Sequence, residues 1–130
     1  MGCIGKYGEA VAADEFLGKL REACSPPWLL ATDNRPEAIH CVAVCGGSGS
    51  DLASKALEEG AQVYVTSEVK HSTARWAEQA GLWVVDAGHF ATEHQVLSLF
   101  AQQLTDESVG QSRKIEIQVT QNQKPPLLMV

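Results

Sequence analysis

Near the end of the chain runs His89-Phe-Ala-Thr-Glu93, an imidazole and a carboxylate four residues apart. Such groups reach one point from adjacent turns of a helix, or from a loop and the first helical turn after it. A neutral imidazole nitrogen and a carboxylate oxygen suit zinc, manganese or iron, so the pair reads as part of a site for a divalent transition metal. A plainer reading stands beside it: His89 closes a strand, and Glu93 is electrostatically favoured near a helix N-terminus. His94 follows directly but on a helix points elsewhere, and His40 opens a strand as a structural or exposed residue.

The run Gly46-Gly-Ser-Gly-Ser50 offers two further chemistries. Free backbone N–H groups between strand and helix attract anions, yet the run has neither the Gly-Lys-Ser/Thr of a P-loop nor G-x-G-x-x-G spacing. A tight strand-to-helix turn asks for the same glycines. The run also nearly spells a nucleophile elbow around Ser48, with Asp86 and His89 as partners, but Ser50 stands where the second Gly belongs. Asp86 and His89 would share one loop, whereas hydrolases of that type take them from separate elements. Cys41 and Cys45 invite a zinc reading. On one strand, however, their Cα atoms lie about 13 Å apart, too far for one tetrahedral ion. They read as reduced, buried small hydrophobes, and the compartment as reducing and cytoplasmic.

The elements that position these residues alternate. Val11, Phe16, Leu17 and Leu20 fall at helical spacing and predict a helix over Ala10 to Cys24, stopped by Pro26 and Pro27. Trp28 to Thr32 is a short strand closed by a turn. Ile39 to Cys45 is a nearly continuous apolar run, the mark of a strand covered on both faces. Ser48 and Asp51 fit a capping box opening a helix to Glu59, which Gly60 ends. Gln62 to Thr66 and Leu82 to Asp86 are the next strands. Between them Val69, Thr73, Trp76, Ala77 and Ala80 share a helical face that Gly81 closes. Thr92 to Leu104 is a helix with Val96, Leu97, Phe100 and Leu104 turned inward. Lys114 to Thr120 alternates strictly, as an antiparallel edge strand does.

The fold class is therefore α/β, a three-layer α/β/α arrangement with a mostly parallel sheet and an antiparallel edge strand. Residues 1–121 form one domain and 122–130 a tail, free to fray or to dock on a partner. Ligands of open parallel sheets bind at the carboxyl ends of the strands, where the three loops after Cys45, Thr66 and Asp86 converge.

Composition limits the partners. The chain has 130 residues, ten Lys and Arg against sixteen Asp and Glu, and a net charge of −6, which argues against a broad nucleic-acid or anionic-membrane face. With 45% apolar residues it can bury a core. No apolar run approaches the roughly 20 residues that span a bilayer, and the start lacks a signal peptide's apolar stretch. Gly2 is followed by Lys6 where a myristoylation signal takes Ser or Thr.

Val44 to Ser50, Gly60 to His71 and Asp86 to Glu93, taken in order, resemble the C-terminal half of the NIF-three-like family, also called dinuclear metal centre proteins or GTP cyclohydrolase I type 2 homologues. Gly2 to Glu9 resembles the start of that half, and Lys114 to Val119 its end, so the similarity covers residues 2 to 121. The resemblance implies two related α/β/α halves, a pair of metal ions in the cleft between them, and ring-like homo-oligomers. The family's His-x-x-x-Glu ligands match His89 and Glu93. A motif of the type Thr-Gly-Asp/Glu-x-x-His-His matches Thr66 to Ser72, with Ser67 and Ser72 departing from it, so only Glu68 and His71 carry over, as candidate pocket residues.

The family's remaining ligands, a His-His pair and an Asp, belong to the N-terminal half, and nothing here supplies them. His89 and Glu93 give two ligands where a stable site takes three or four, so a metal would be weakly held or absent in this chain alone. The chain is then a fragment, a degenerate paralogue, or one half of a site completed by another chain, and a half-protein is the expectation. Its partners are a second copy or a chain supplying the missing half. Two functions follow from the resemblance: a metal-dependent hydrolase-like protein, or a non-catalytic interaction module of the kind that partners transcription regulators.

Overall fold

The computed structural model describes residues 2–111 and 113–127. Its centre is a five-stranded sheet of β1 (Cys3–Ala12), β2 (Leu30–Ala31), β3 (Ala38–Ser48), β4 (Val63–Ser67) and β5 (Trp83–Asp86), in the order β1-β3-β4-β5-β2. The middle three strands run parallel, with Val42 opposite Val63 and Val63 opposite Trp83. Both edges are antiparallel. Every residue of β4 and β5 is buried, as their unbroken apolar runs require.

The helices are α1 (Ala13–Cys24), α2 (Ala53–Glu58) after a 3-10 turn at Ser50–Leu52, α3 (His71–Ala80), α4 (His89–His94) and α5 (Val96–Gly110). Phe16 and Leu20 of α1 pack with Ile39, Val63, Trp83 and Val85 on one face of the sheet. Ala53, Ala56 and Ala77 of α2 and α3 pack with Tyr64, Leu82 and Val84 on the other. Two cores on two faces make the three layers. Left-handed residues end two helices: Ser25 at φ 45° just before Pro26, and Gly81 at φ 80°. All four cysteines are thiols, and Cys41 and Cys45 are buried.

Several elements differ from expectation. The helix starts at Ala13, and the residues before it form β1. Only Val11 of β1 is buried, so its composition carries no strand signature; backbone pairing with β3 creates it. The antiparallel edges are thus β1 and β2, while residues 113–120 form no strand and Ile115 is 57% exposed. Ser48 ends β3 and caps nothing; the hydroxyl at the turn is Ser50, whose Oγ donates to the Glu68 carbonyl and accepts from Lys70 N–H.

The largest departure is α5. Most of its expected inner face lies open, with Val96 at 52%, Phe100 at 53% and Leu104 at 42% exposure and Leu99 beside them at 60%, while Leu97 is half-buried. The sheet faces are already covered by other helices, and α5 packs instead against α4. Among the described residues nothing covers its apolar stripe.

Candidate metal centre

Three segments meet at the carboxyl ends of the parallel strands: the end of β3, the turn after β4, and α4 after β5. Helix α4 puts His89 and Glu93 one turn apart on the same side, and His89 Nε2 lies 3.2 Å from Glu93 Oε2. The other ring nitrogen, Nδ1, lies 2.9 Å from Glu68 Oε1. The imidazole is therefore held between two carboxylates, one on each nitrogen. Glu68 raises the His89 pKa most by that hydrogen bond, and Glu93 adds to it, while partial burial opposes both.

Glu68 reaches this position from a strained backbone, φ 54°. Two side chains fix the turn around it. Asp86 Oδ2 accepts from Val69 N–H at 2.9 Å, while its Oδ1 accepts from Gly88 N–H at 3.0 Å, so one carboxylate ties the turn after β4 to the start of α4. Ser50 clamps the same turn from the other side.

The Gly-rich segment has a purpose different from either chemistry considered for it. Gly47, at φ 68°, passes directly over the pair: a Cβ there would lie 2.3 Å from Glu93 Oε1 and 3.1 Å from His89 Nε2. Its N–H donates to Thr92 Oγ1 at 2.9 Å, which spends the donor an anion would use. Beneath it, Thr66 Oγ1 donates to the Gly47 carbonyl and Tyr64 Oη to that of Gly49. Burial pushes the Tyr64 hydroxyl pKa up to about 12, keeping it a donor. The segment is glycine so that β3 can approach the His89–Glu93 pair closely.

The same contacts dispose of the serine triad. Both oxygens of Asp86 are engaged by backbone N–H groups, and the carboxylates on the His89 ring come from Glu68 and Glu93. No hydrogen bond among the described residues joins Ser48 to His89. His71 opens α3 exposed to solvent and is not among the residues lining the cleft, whereas Glu68 is.

Donor chemistry decides what the pair can hold. With a proton kept on Nδ1 for Glu68, Nε2 beside Glu93 is the nitrogen an ion would take, and the outer carboxylate would set the tautomer in the manner usual for metal-bound histidines. The groups present fit a divalent ion shared by Nε2 and Glu93. They do not complete its shell: among the described residues no set of three or more His, Cys, Asp and Glu is placed to hold an ion.

A cleft of about 700 Å³ opens beside the pair. Its walls include Trp28, Phe90, His94 and the tail residues Pro125 and Pro126, none of which the sequence marked as part of a site. His94 stacks on Phe90, ring centroids 4.6 Å apart, and lines the same cleft, and among the described residues no hydrogen bond joins its ring to His89 or Glu93. The apolar end of the tail, residues 128–130, lies outside the described residues.

Residues 1–126 match the family described as Duf34/NIF3 (NGG1p interacting factor 3). Among curated relatives, the chain is 28% identical over 103 residues to a Haemophilus influenzae protein and 32% over 105 residues to one from Nostoc, both named GTP cyclohydrolase 1 type 2 homolog. Each match takes in 79% of this chain but only 41% and 40% of those relatives, so the chain spans well under half their length. A Bacillus cereus protein related to NIF3 superposes with a TM-score of 0.87 at 25% identity, over 100% of this chain and 35% of that one. Reduced HcgD from Methanocaldococcus jannaschii gives 0.68 at 28% identity, over 82% of this chain and 42% of its own.

Proposed function

Because this chain belongs to the Duf34/NIF3 family, we propose that it is a metal-binding, hydrolase-like protein that carries part of a metal centre and associates to complete it. The observation that carries the reading is the His89 ring set between Glu68 on Nδ1 and Glu93 beside Nε2. His89 and Glu93 would hold the ion. Glu68 orients the ring, Asp86 fixes Glu68 and α4 relative to each other, and Gly47 leaves the approach clear. A bound divalent ion would supply Lewis-acid polarisation of an acyl or phosphoryl oxygen and a more acidic water. The setting that suits these thiol-bearing strands is a reducing one, the cytoplasm.

Calorimetric titration with manganese tests this, since manganese favours imidazole and carboxylate over the exposed Cys3 thiol. The full chain is expected to take up one ion per chain, and heats no larger than buffer would overturn the reading.

The open stripe of α5 supports association with a second copy of the chain: Leu99, Phe100 and Leu104 are all exposed in one helix. Sedimentation velocity is expected to show a species larger than one chain, and Phe100→Asp, a charge in the middle of that stripe, to return it to the monomer. A wild-type chain that sediments as a monomer at all concentrations would refute it.

A further inference from the structure

We propose that the cleft beside His89 binds a flat aromatic ring that carries no anionic group. The inference rests on the same site as the metal reading and deepens it by naming what lies next to the ion.

Shape comes first. A volume of about 700 Å³ is that of a small-molecule site, large enough for a bicyclic ring. Aromatic groups stand on two sides of it. The Trp28 indole lies over Gly88, close enough that a Cβ there would be 3.7 Å from Cζ2. Phe90 and His94 stack with their planes 16° apart. His94 Nδ1, shielded from solvent, has no hydrogen-bond partner among the described residues, so its place is set by stacking and it presents itself as a wall. Pro125 and Pro126 add two rigid apolar surfaces. Flat faces favour offset or edge-on contact with a flat guest.

Charge comes second. Glu68, Asp86 and Glu93 line the polar end, and no Lys or Arg is among the described residues lining the cleft. A phosphate or sulfonate would meet three carboxylates with two imidazoles, His89 already set between Glu68 and Glu93 and His94 stacked on Phe90, and no guanidinium or ammonium donor. A neutral or cationic ring meets no such opposition and finds acceptors for any N–H it carries.

The test uses the full chain stripped of metal by chelator and dialysis, with three bicyclic probes of like size: quinoline, N-methylquinolinium and naphthalene-1-sulfonate. Binding is followed at the indole N–H resonance of Trp28, assigned by its loss in Trp28→Phe. Quinoline and N-methylquinolinium are expected to shift that resonance saturably and to leave Trp83 unmoved, and the sulfonate to bind at least tenfold more weakly. Trp28→Ala, followed at the backbone amide of Gly88 beneath the indole, is expected to weaken quinoline up to about tenfold, the measure of one aromatic contact. Phe90→Leu, which keeps apolar volume and removes a ring, is expected to act in the same direction. Equal or tighter sulfonate binding, or undiminished quinoline binding in both variants, would overturn the proposal. Since no metal is present, the ring reading and the metal reading fail independently.

Discussion

Replacing His89 with alanine is expected to lower manganese affinity by about a hundredfold or more. Loss of an outer-sphere partner alone costs about 10–100-fold, and His89 is the nitrogen donor itself. It also lies in contact with both Glu68 and Glu93. Removing it leaves two carboxylates from different elements with nothing between them. Glu68→Gln is expected to have the smaller, outer-partner effect, because the amide still accepts from Nδ1–H but without its charge. Calorimetry on both variants reads the order, and equal losses would contradict it.

The pH dependence follows from the raised His89 pKa, caused chiefly by Glu68. A raised value in the folded chain means that the charged ring stabilises the fold below the ordinary histidine range. That contribution is lost as pH rises through the raised value. Metal runs in the opposite sense, because an ion on Nε2 must displace its proton. Manganese affinity is therefore expected to climb as pH rises through the raised value and to level off above it.

Trp83→Ala is expected to destabilise the chain by about 3–5 kcal/mol, the usual cost of emptying a buried aromatic site. Trp83 is 2% exposed at the middle of the first core, 6.2 Å from Phe16 between ring centroids, and the Arg35 guanidinium lies 6.0 Å from the ring. Its indole Nε1–H donates to the Thr32 carbonyl at 3.0 Å, one of three hydrogen bonds, with Thr32 N–H to the Val84 carbonyl and Val84 N–H to Thr32 Oγ1, that hold the loop after β2 against β5. The variant loses packing on one side of the sheet and leaves a buried carbonyl without its donor. Against a typical net stability of about 5–15 kcal/mol, the urea midpoint should fall sharply with the slope unchanged. A change under about 1 kcal/mol, the ordinary effect of a substitution outside the core, would show that Trp83 does not anchor it.

Legibility in the sequence followed burial. β4 and β5 were readable because strands covered on both faces leave apolar runs. β3 gave such a run although its residues alternate between buried and exposed, with Val44 44% exposed, so it is not covered on both faces along its length. The three runs placed the loops of the site at one edge. The spacing of His89 and Glu93 was readable because a helix repeats every few residues. β1 was not, since its strand character comes from backbone pairing with β3 and its side chains are mostly exposed. Residues 114–120 show the converse: alternation states a need for cover on one face, and among the described residues no strand pairs with them. The stripe on α5 likewise records burial that the described residues do not supply.

At the site, chemistry-bearing types stood out and wall-forming ones did not. Trp28 is distant in sequence from α4, and only the antiparallel pairing of Leu30 with Asp86 brings its loop over Gly88. The role of Gly47 was hidden for a similar reason: its value lies in the side chain it lacks, opposite residues more than forty positions away. Asp86 drew notice as a candidate catalytic acid, yet it serves as the tie between two turns.

The most direct measurement is nitrogen NMR of the histidine rings during a zinc titration of the metal-stripped chain. The account predicts that zinc shifts Nε2 of His89 into the range of a metal-bound nitrogen while Nδ1 keeps its proton, still donated to Glu68. Nitrogens of His89 that stay unchanged while other histidines respond, or metal on Nδ1 instead of Nε2, would contradict it.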